Sequence, residues 1–160
     1  MVHKSSMEYL MDYSELSPSQ LVDLLADKTQ RNAVIVALVG GITATELRKV
    51  KVSDQAKQAL IAGLKHSNSK VRWWCIQLMD HIADESYVPP LMEAAHADPT
   101  PKNRRHAIHA ATCEVCKPNR QRLNVDVRSE LIAIAQTDSD ASVRDMALHE
   151  LAEINGVGQS

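Results

Sequence analysis

A short pattern that returns along the chain constrains its fold more than any other feature. The segment VRWWCIQLMDHIAD, starting at Val71, has apolar or small residues at offsets 0, 4, 8 and 11 and an Arg at offset 1. At 100° per residue those five positions share a sector of about 100°, which is one core-facing stripe of an α-helix. VRDMALHELAEI from Val143 keeps the register through Arg144, Ala147, Leu151 and Ile154. NRRHAIHAATC from Asn103 keeps it through Arg104, Ala107 and Ala111, with Asn in place of the opening Val. A weaker copy, QRNAVIVALVGG, begins at Gln30 and places Arg31, Val34 and Leu38 in register.

Each copy follows a second amphipathic stretch, at 20–26, 54–64, 87–95 and 125–136. The unit is therefore helix, polar turn, helix, and such a unit buries its apolar stripe only by stacking on its neighbours. Ser17-Pro18 and Ser53-Asp54 read as helix starts, with a capping hydroxyl ahead of the first turn. The turns HSNSK, ADPTPKN and TDSDAS separate the two helices of a unit, and Pro118 ends the third Arg-bearing helix. The domain is expected over 17–155, with 1–16 as an extension whose Met7, Tyr9, Leu10 and Met11 cap the open end of the stack, and 156–160 as a frayed tail. The absence of Phe, with two Trp and three Tyr, calls for a core of Leu, Ile, Val, Ala and Met, which suits close helix packing and disfavours a β-sandwich.

The stretches SNSKVRWWCIQLMDHIADESYVPPLMEAAHADPTPKNRRHAIHA and SELIAIAQTDSDASVRDMALHELAEI resemble the HEAT-repeat family, particularly the short HEAT-like repeats of phycobilisome lyases. The resemblance spans about residues 17–155. It implies an all-α fold, a right-handed α-solenoid of about four helical hairpins, in which the Val-Arg helix lines the concave side and its Arg pairs with a turn Asp. Arg72, Arg104 and Arg144 match that Arg here, and Asp98 and Asp138 stand as its partners. The fold hosts many activities, so the resemblance does not define a function.

With offsets 0, 1, 4, 8 and 11 turned inward, offsets 6, 10 and 13 face the groove. These are Val36 and Gly40, then Gln77, His81 and Asp84, then His109, Cys113 and Cys116, then His149 and Glu153. Trp73 and Trp74 fall at the groove edge, either as recognition anchors or as covers for a neighbouring repeat. His106, His109, Cys113 and Cys116, spaced three, four and three apart, fall on one side of a continuous helix. Imidazole and thiolate suit zinc or iron, and His81 of the neighbouring helix is the candidate for a further ligand. The competing reading is a row of solvated polar residues on a binding face.

Cys75, at a core offset, is expected to be a buried structural thiol. Lys102, Arg104 and Arg105, and Lys117, Arg120 and Arg122, flank opposite ends of one helix. Apart from Arg104 they read as solvated loop charge, and with a formal net charge of -2 no nucleic-acid partner is expected. The longest apolar run, 33–42, is too short to span a membrane, and the N-terminus lacks a signal-peptide core, so the expected location is the cytoplasm.

No phosphate loop, nucleophile elbow or paired acidic motif is present. The leading expectation is a non-enzymatic scaffold that binds a protein or peptide in its groove, with no catalytic residue and no organic cofactor. The groove residues are Trp73, Trp74, Gln77, His81, His109, His149 and Glu153. The alternatives are a metal-binding or metal-sensing protein, and a tetrapyrrole-handling, lyase-like subunit.

Overall fold

Ser17 accepts a hydrogen bond from the Gln20 amide, and the Gln20 side chain accepts one from the Ser17 amide. This capping box, with Pro18 at the first helical position, fixes the start of α1 (Pro18–Asp23). A computed structural model describes residues 12–82, 84–117 and 123–156. Its further helices are α2 (Arg31–Val39), α3 (Ala44–Leu47), α4 (Asp54–Gly63), α5 (Ser69–Asp80), α6 (Val88–Ala97), α7 (Pro101–Thr112), α8 (Arg128–Thr137) and α9 (Ala141–Gly156). No strand occurs among the described residues. Met7, Tyr9, Leu10 and Met11, together with Pro118, Arg120 and Arg122, lie outside them.

Four hairpins, α1–α2, α4–α5, α6–α7 and α8–α9, form an all-α solenoid in which α5, α7 and α9 stack as an inner layer. On the other side α1 packs on α4, and α6 on α8. The repeating stripe is the interior: Val71, Cys75, Met79, Ala107, Ala111, Val143 and Ala147 are all buried. Burial of a side chain as large as Val, Leu or Met contributes about 1.5–3 kcal/mol. Asn103, the exception at offset 0, is buried as well, and its amide donates to Asp98 Oδ2 and to the Ser69 carbonyl. Gly40 ends α2 at φ 83°, where its amide closes on the Val36 carbonyl. The short α3, which the repeat pattern does not foretell, is held by a second capping box between Thr43 and Glu46.

The repeated Arg has one function in all four hairpins. Arg31 Nε and the Nη1 atoms of Arg72, Arg104 and Arg144 donate to the carbonyls six residues earlier, those of Leu25, His66, Asp98 and Asp138, at 2.7–2.9 Å. These carbonyls lie at or just past the ends of the outer helices, where helical bonding leaves them open. Two of the four also reach forward: Arg72 pairs with Asp98 and Arg104 with Asp138, each tying its hairpin to the next.

Candidate functional site at the end of α7

Two helix ends and a tight turn converge beside the inner layer. Helix α5 ends on the buried Asp80, and α7 carries His109 in its last turn. The chain then leaves helical geometry at Cys113 (φ -65°, ψ 113°) and folds back through Cys116. This corrects the expectation that His106, His109, Cys113 and Cys116 share one continuous helix. The helix stops at Thr112, and the turn swings both sulfurs back toward His109.

Lys117 is the physical cause of that turn. Its Nζ donates to the Ala110 carbonyl at 2.8 Å and the Asp80 carbonyl at 2.6 Å, and lies 3.5 Å from Asp80 Oδ1. One ammonium thus satisfies terminal carbonyls of two helices, where both dipoles favour a cation. Lys117 is 2% exposed, so the expectation of solvated loop charge fails here. A lysine just past a helix end, able to reach its last carbonyls, is the sequence signal that marks such a role. The Cys116 carbonyl is held from the opposite side by Arg48 Nε at 3.1 Å and faces His81 Nδ1 at 3.4 Å.

The result is a cluster of four side chains, Asp80, His109, Cys113 and Cys116, whose ligand atoms all lie within 4.8 Å of one another. Cys113 and Cys116 Sγ are 3.0 Å apart as free thiols. His109 Nε2 lies 3.4 Å from Cys116 Sγ and 3.6 Å from Asp80 Oδ2. Burial, the Cys113 hydrogen bond and the Asp80 charge push the Cys116 thiol up to about 12. Carboxylate, imidazole and two thiols are together a suitable donor set for a borderline divalent cation.

The other predicted residues distribute around this cluster. His106 stacks between Trp73 (centroids 4.4 Å) and His109 (5.9 Å), and burial lowers its pKa to about 4. Lys102 Nζ lies over the Trp73 ring, and Arg31 over the Trp74 ring, so both indoles bridge adjacent hairpins. His81 contacts the Gln77 amide through Nε2 and the Cys116 carbonyl through Nδ1, and is not among the four clustered ligands. Asp84 leaves the groove stripe: α5 has ended, and Asp84 pairs with Lys57 of α4 at 2.6 Å. Asp80 is the member that sequence reasoning missed.

His109 and Cys113 also form one wall of a cleft of about 920 Å³, whose other walls include His149 and Glu153 of α9 and the chain leading into α8. Its lining mixes Val125, Met146 and Ile154 with the acidic Glu150 and Glu153.

Residues 19–112, more than half of the chain, match the family described as HEAT repeats. Neither a curated protein nor a solved structure matches the chain.

Proposed function

Because the chain belongs to the HEAT-repeat family, we propose that it works as a non-enzymatic interaction module that binds a cationic, amphipathic peptide segment of a protein partner. The observation that carries this reading is the cleft between α7 and α9. Its volume of about 920 Å³ accommodates several side chains, and its apolar residues, Val125, Met146 and Ile154, lie beside the carboxylates of Glu150 and Glu153. Apolar contact supplies affinity in such a groove, and the carboxylates select the charge of the occupant. No helix among the described residues is long and apolar enough to cross a membrane.

His109, His149 and Glu153, three of the groove residues expected from the pattern, line this cleft, whereas Trp73 and Trp74 are engaged with Lys102, His106 and Arg31. The partner-binding role is therefore assigned to the α7–α9 cleft rather than to the indoles. Titration with a fluorescent helical peptide of alternating Leu and Lys faces tests it. Saturable binding is expected, weakened about tenfold or more by Glu153→Lys and by added salt. Equal affinity for a Leu/Glu peptide of the same pattern would reject the reading.

A further inference from the structure

We infer that Asp80, His109, Cys113 and Cys116 form a mononuclear zinc site that joins the end of α5 to the end of α7. This inference stands on geometry and does not rest on the peptide-binding reading, although His109 and Cys113 also line the α7–α9 cleft. Zn–S bonds of about 2.3 Å and Zn–N or Zn–O bonds of about 2.0–2.2 Å place tetrahedral neighbours roughly 3.3–3.8 Å apart. Nε2–Sγ at 3.4 Å and Nε2–Oδ2 at 3.6 Å fall inside that range, and Sγ–Sγ at 3.0 Å falls below it. Opening the sulfur pair by less than about 1 Å brings it into the same range.

The surroundings of Asp80 point the same way. Asp98, equally buried, accepts nitrogen donors at 2.7, 2.8, 3.1 and 3.2 Å. Among the described residues, Lys117 Nζ and His109 Nε2 approach the Asp80 carboxylate to 3.5 and 3.6 Å, and the Cys116 thiol also lies against it. Among the described residues, this carboxylate, 3% exposed, therefore has longer nitrogen contacts than Asp98 has. One ligand atom of Asp80 lies with those of His109, Cys113 and Cys116, all within 4.8 Å of one another.

The supporting contacts are those of a metal knuckle. The Cys116 amide donates to Cys113 Sγ at 3.4 Å, a bond that strengthens once the sulfur is a thiolate. Lys117 pins Asp80 from behind, and Arg48 fixes the turn through the Cys116 carbonyl. Binding exchanges the two thiol protons for one Zn²⁺ and releases two protons to solvent. Two thiolates, one carboxylate, the dication and the Lys117 ammonium then sum to zero charge, a balance that a buried site requires. The ligand set differs from a four-residue row on one helix: His106 and His81 are replaced by Asp80.

The test is zinc content of the full chain purified under reducing, chelator-free conditions, followed by competition with a chromogenic chelator. One equivalent is expected in the wild type and in Cys75→Ala, which removes the remote thiol. Cys113→Ser and His109→Ala are expected to lose it, and Asp80→Asn to weaken it at least about tenfold. Replacement by Co²⁺ reports sulfur coordination by its thiolate charge-transfer absorption, which is expected to fade in Cys116→Ser. Should a cysteine variant misfold by circular dichroism, the cobalt spectrum of the wild type and the Asp80→Asn affinity still decide. Reduced wild-type protein that takes up no zinc, or takes it up without thiolate absorption from cobalt, overturns the assignment. So does affinity unchanged by Asp80→Asn.

Discussion

Arg72 and Asp98 face each other across a hairpin boundary through two parallel hydrogen bonds, Nε to Oδ2 at 2.7 Å and Nη2 to Oδ1 at 3.1 Å. Both side chains are nearly inaccessible, at 8% and 1%. The same Arg also holds the carbonyls of His66 and Ser67, so it joins one outer helix end to the following turn. Removing one partner of such a pair leaves a buried charge uncompensated, at a cost of about 3–5 kcal/mol. Arg72→Ala is therefore expected to lower the unfolding free energy measured by urea denaturation by that amount, and Arg72→Lys to recover less than half of it, because an ammonium cannot repeat the forked geometry. A loss below 1 kcal/mol for Arg72→Ala would show that the pair does not tie the hairpins together.

The same pair makes stability depend on pH. Burial acts to raise the Asp98 pKa, but the bonds from Arg72, the Thr100 amide and Asn103, with the Arg72 charge, outweigh it and hold the carboxyl below its ordinary value. The unfolded chain then takes up the proton first, near pH 4. The contribution of this carboxylate is complete above that pH and is lost as pH falls through the lower, folded value. Compared with Asp98→Asn, the wild type is expected to hold a constant advantage in unfolding free energy from pH 7 to 5 and a shrinking one below about pH 4. An advantage that grows on acidification would reverse the sign and refute the assignment.

Arg72 and Arg104 are legible in the sequence because they belong to a repeat, one register read four times that carries the core stripe and its Arg together, and their partners Asp98 and Asp138 follow from the resemblance to HEAT repeats. Asp80 and Lys117 are not legible in this way. Asp80 sits at offset 9 of its copy, in neither the core stripe nor the groove stripe, and meets His109 only because α5 packs on α7. Lys117 reads as a loop cation until two helix ends are seen to converge on one ammonium. Cys113 and Cys116 stand out in the sequence as donors, but residue spacing alone does not show that α7 stops at Thr112. Local pattern therefore yielded the elements, and the site required the packing between them.

Tyr87 offers a test in which removing a polar group helps. Its ring is 1% exposed, and its hydroxyl has no hydrogen-bond partner among the described residues. A buried, unsatisfied hydroxyl carries an uncompensated desolvation cost of about 1–3 kcal/mol. Tyr87→Phe keeps the ring and deletes the cost, so the variant is expected to gain about 1 kcal/mol and a few degrees in melting temperature. A destabilised variant would mean that the hydroxyl is satisfied in solution.

Gly63 sets how closely three helices approach. A Cβ added there would overlap Cys75 Sγ of α5 and lie 2.9 Å from Val22 Cγ1 of α1. Two effects oppose each other in Gly63→Ala: alanine favours the helix by about 1 kcal/mol, and overpacking a filled core costs about 1–3 kcal/mol. Cys75 is fully buried and its neighbours are closely packed, so overpacking is expected to dominate and the variant to be less stable than wild type. In a Cys75→Ala background the obstructing sulfur is gone, and Gly63→Ala should become neutral or mildly stabilising, with the Val22 methyl yielding by rotation. Urea denaturation of both single variants and the double variant closes the cycle, and a coupling of about 1 kcal/mol or more is expected. If Gly63→Ala costs the same in both backgrounds, the sulfur is not what requires a glycine, and the Val22 contact or the backbone of α4 must set the spacing instead.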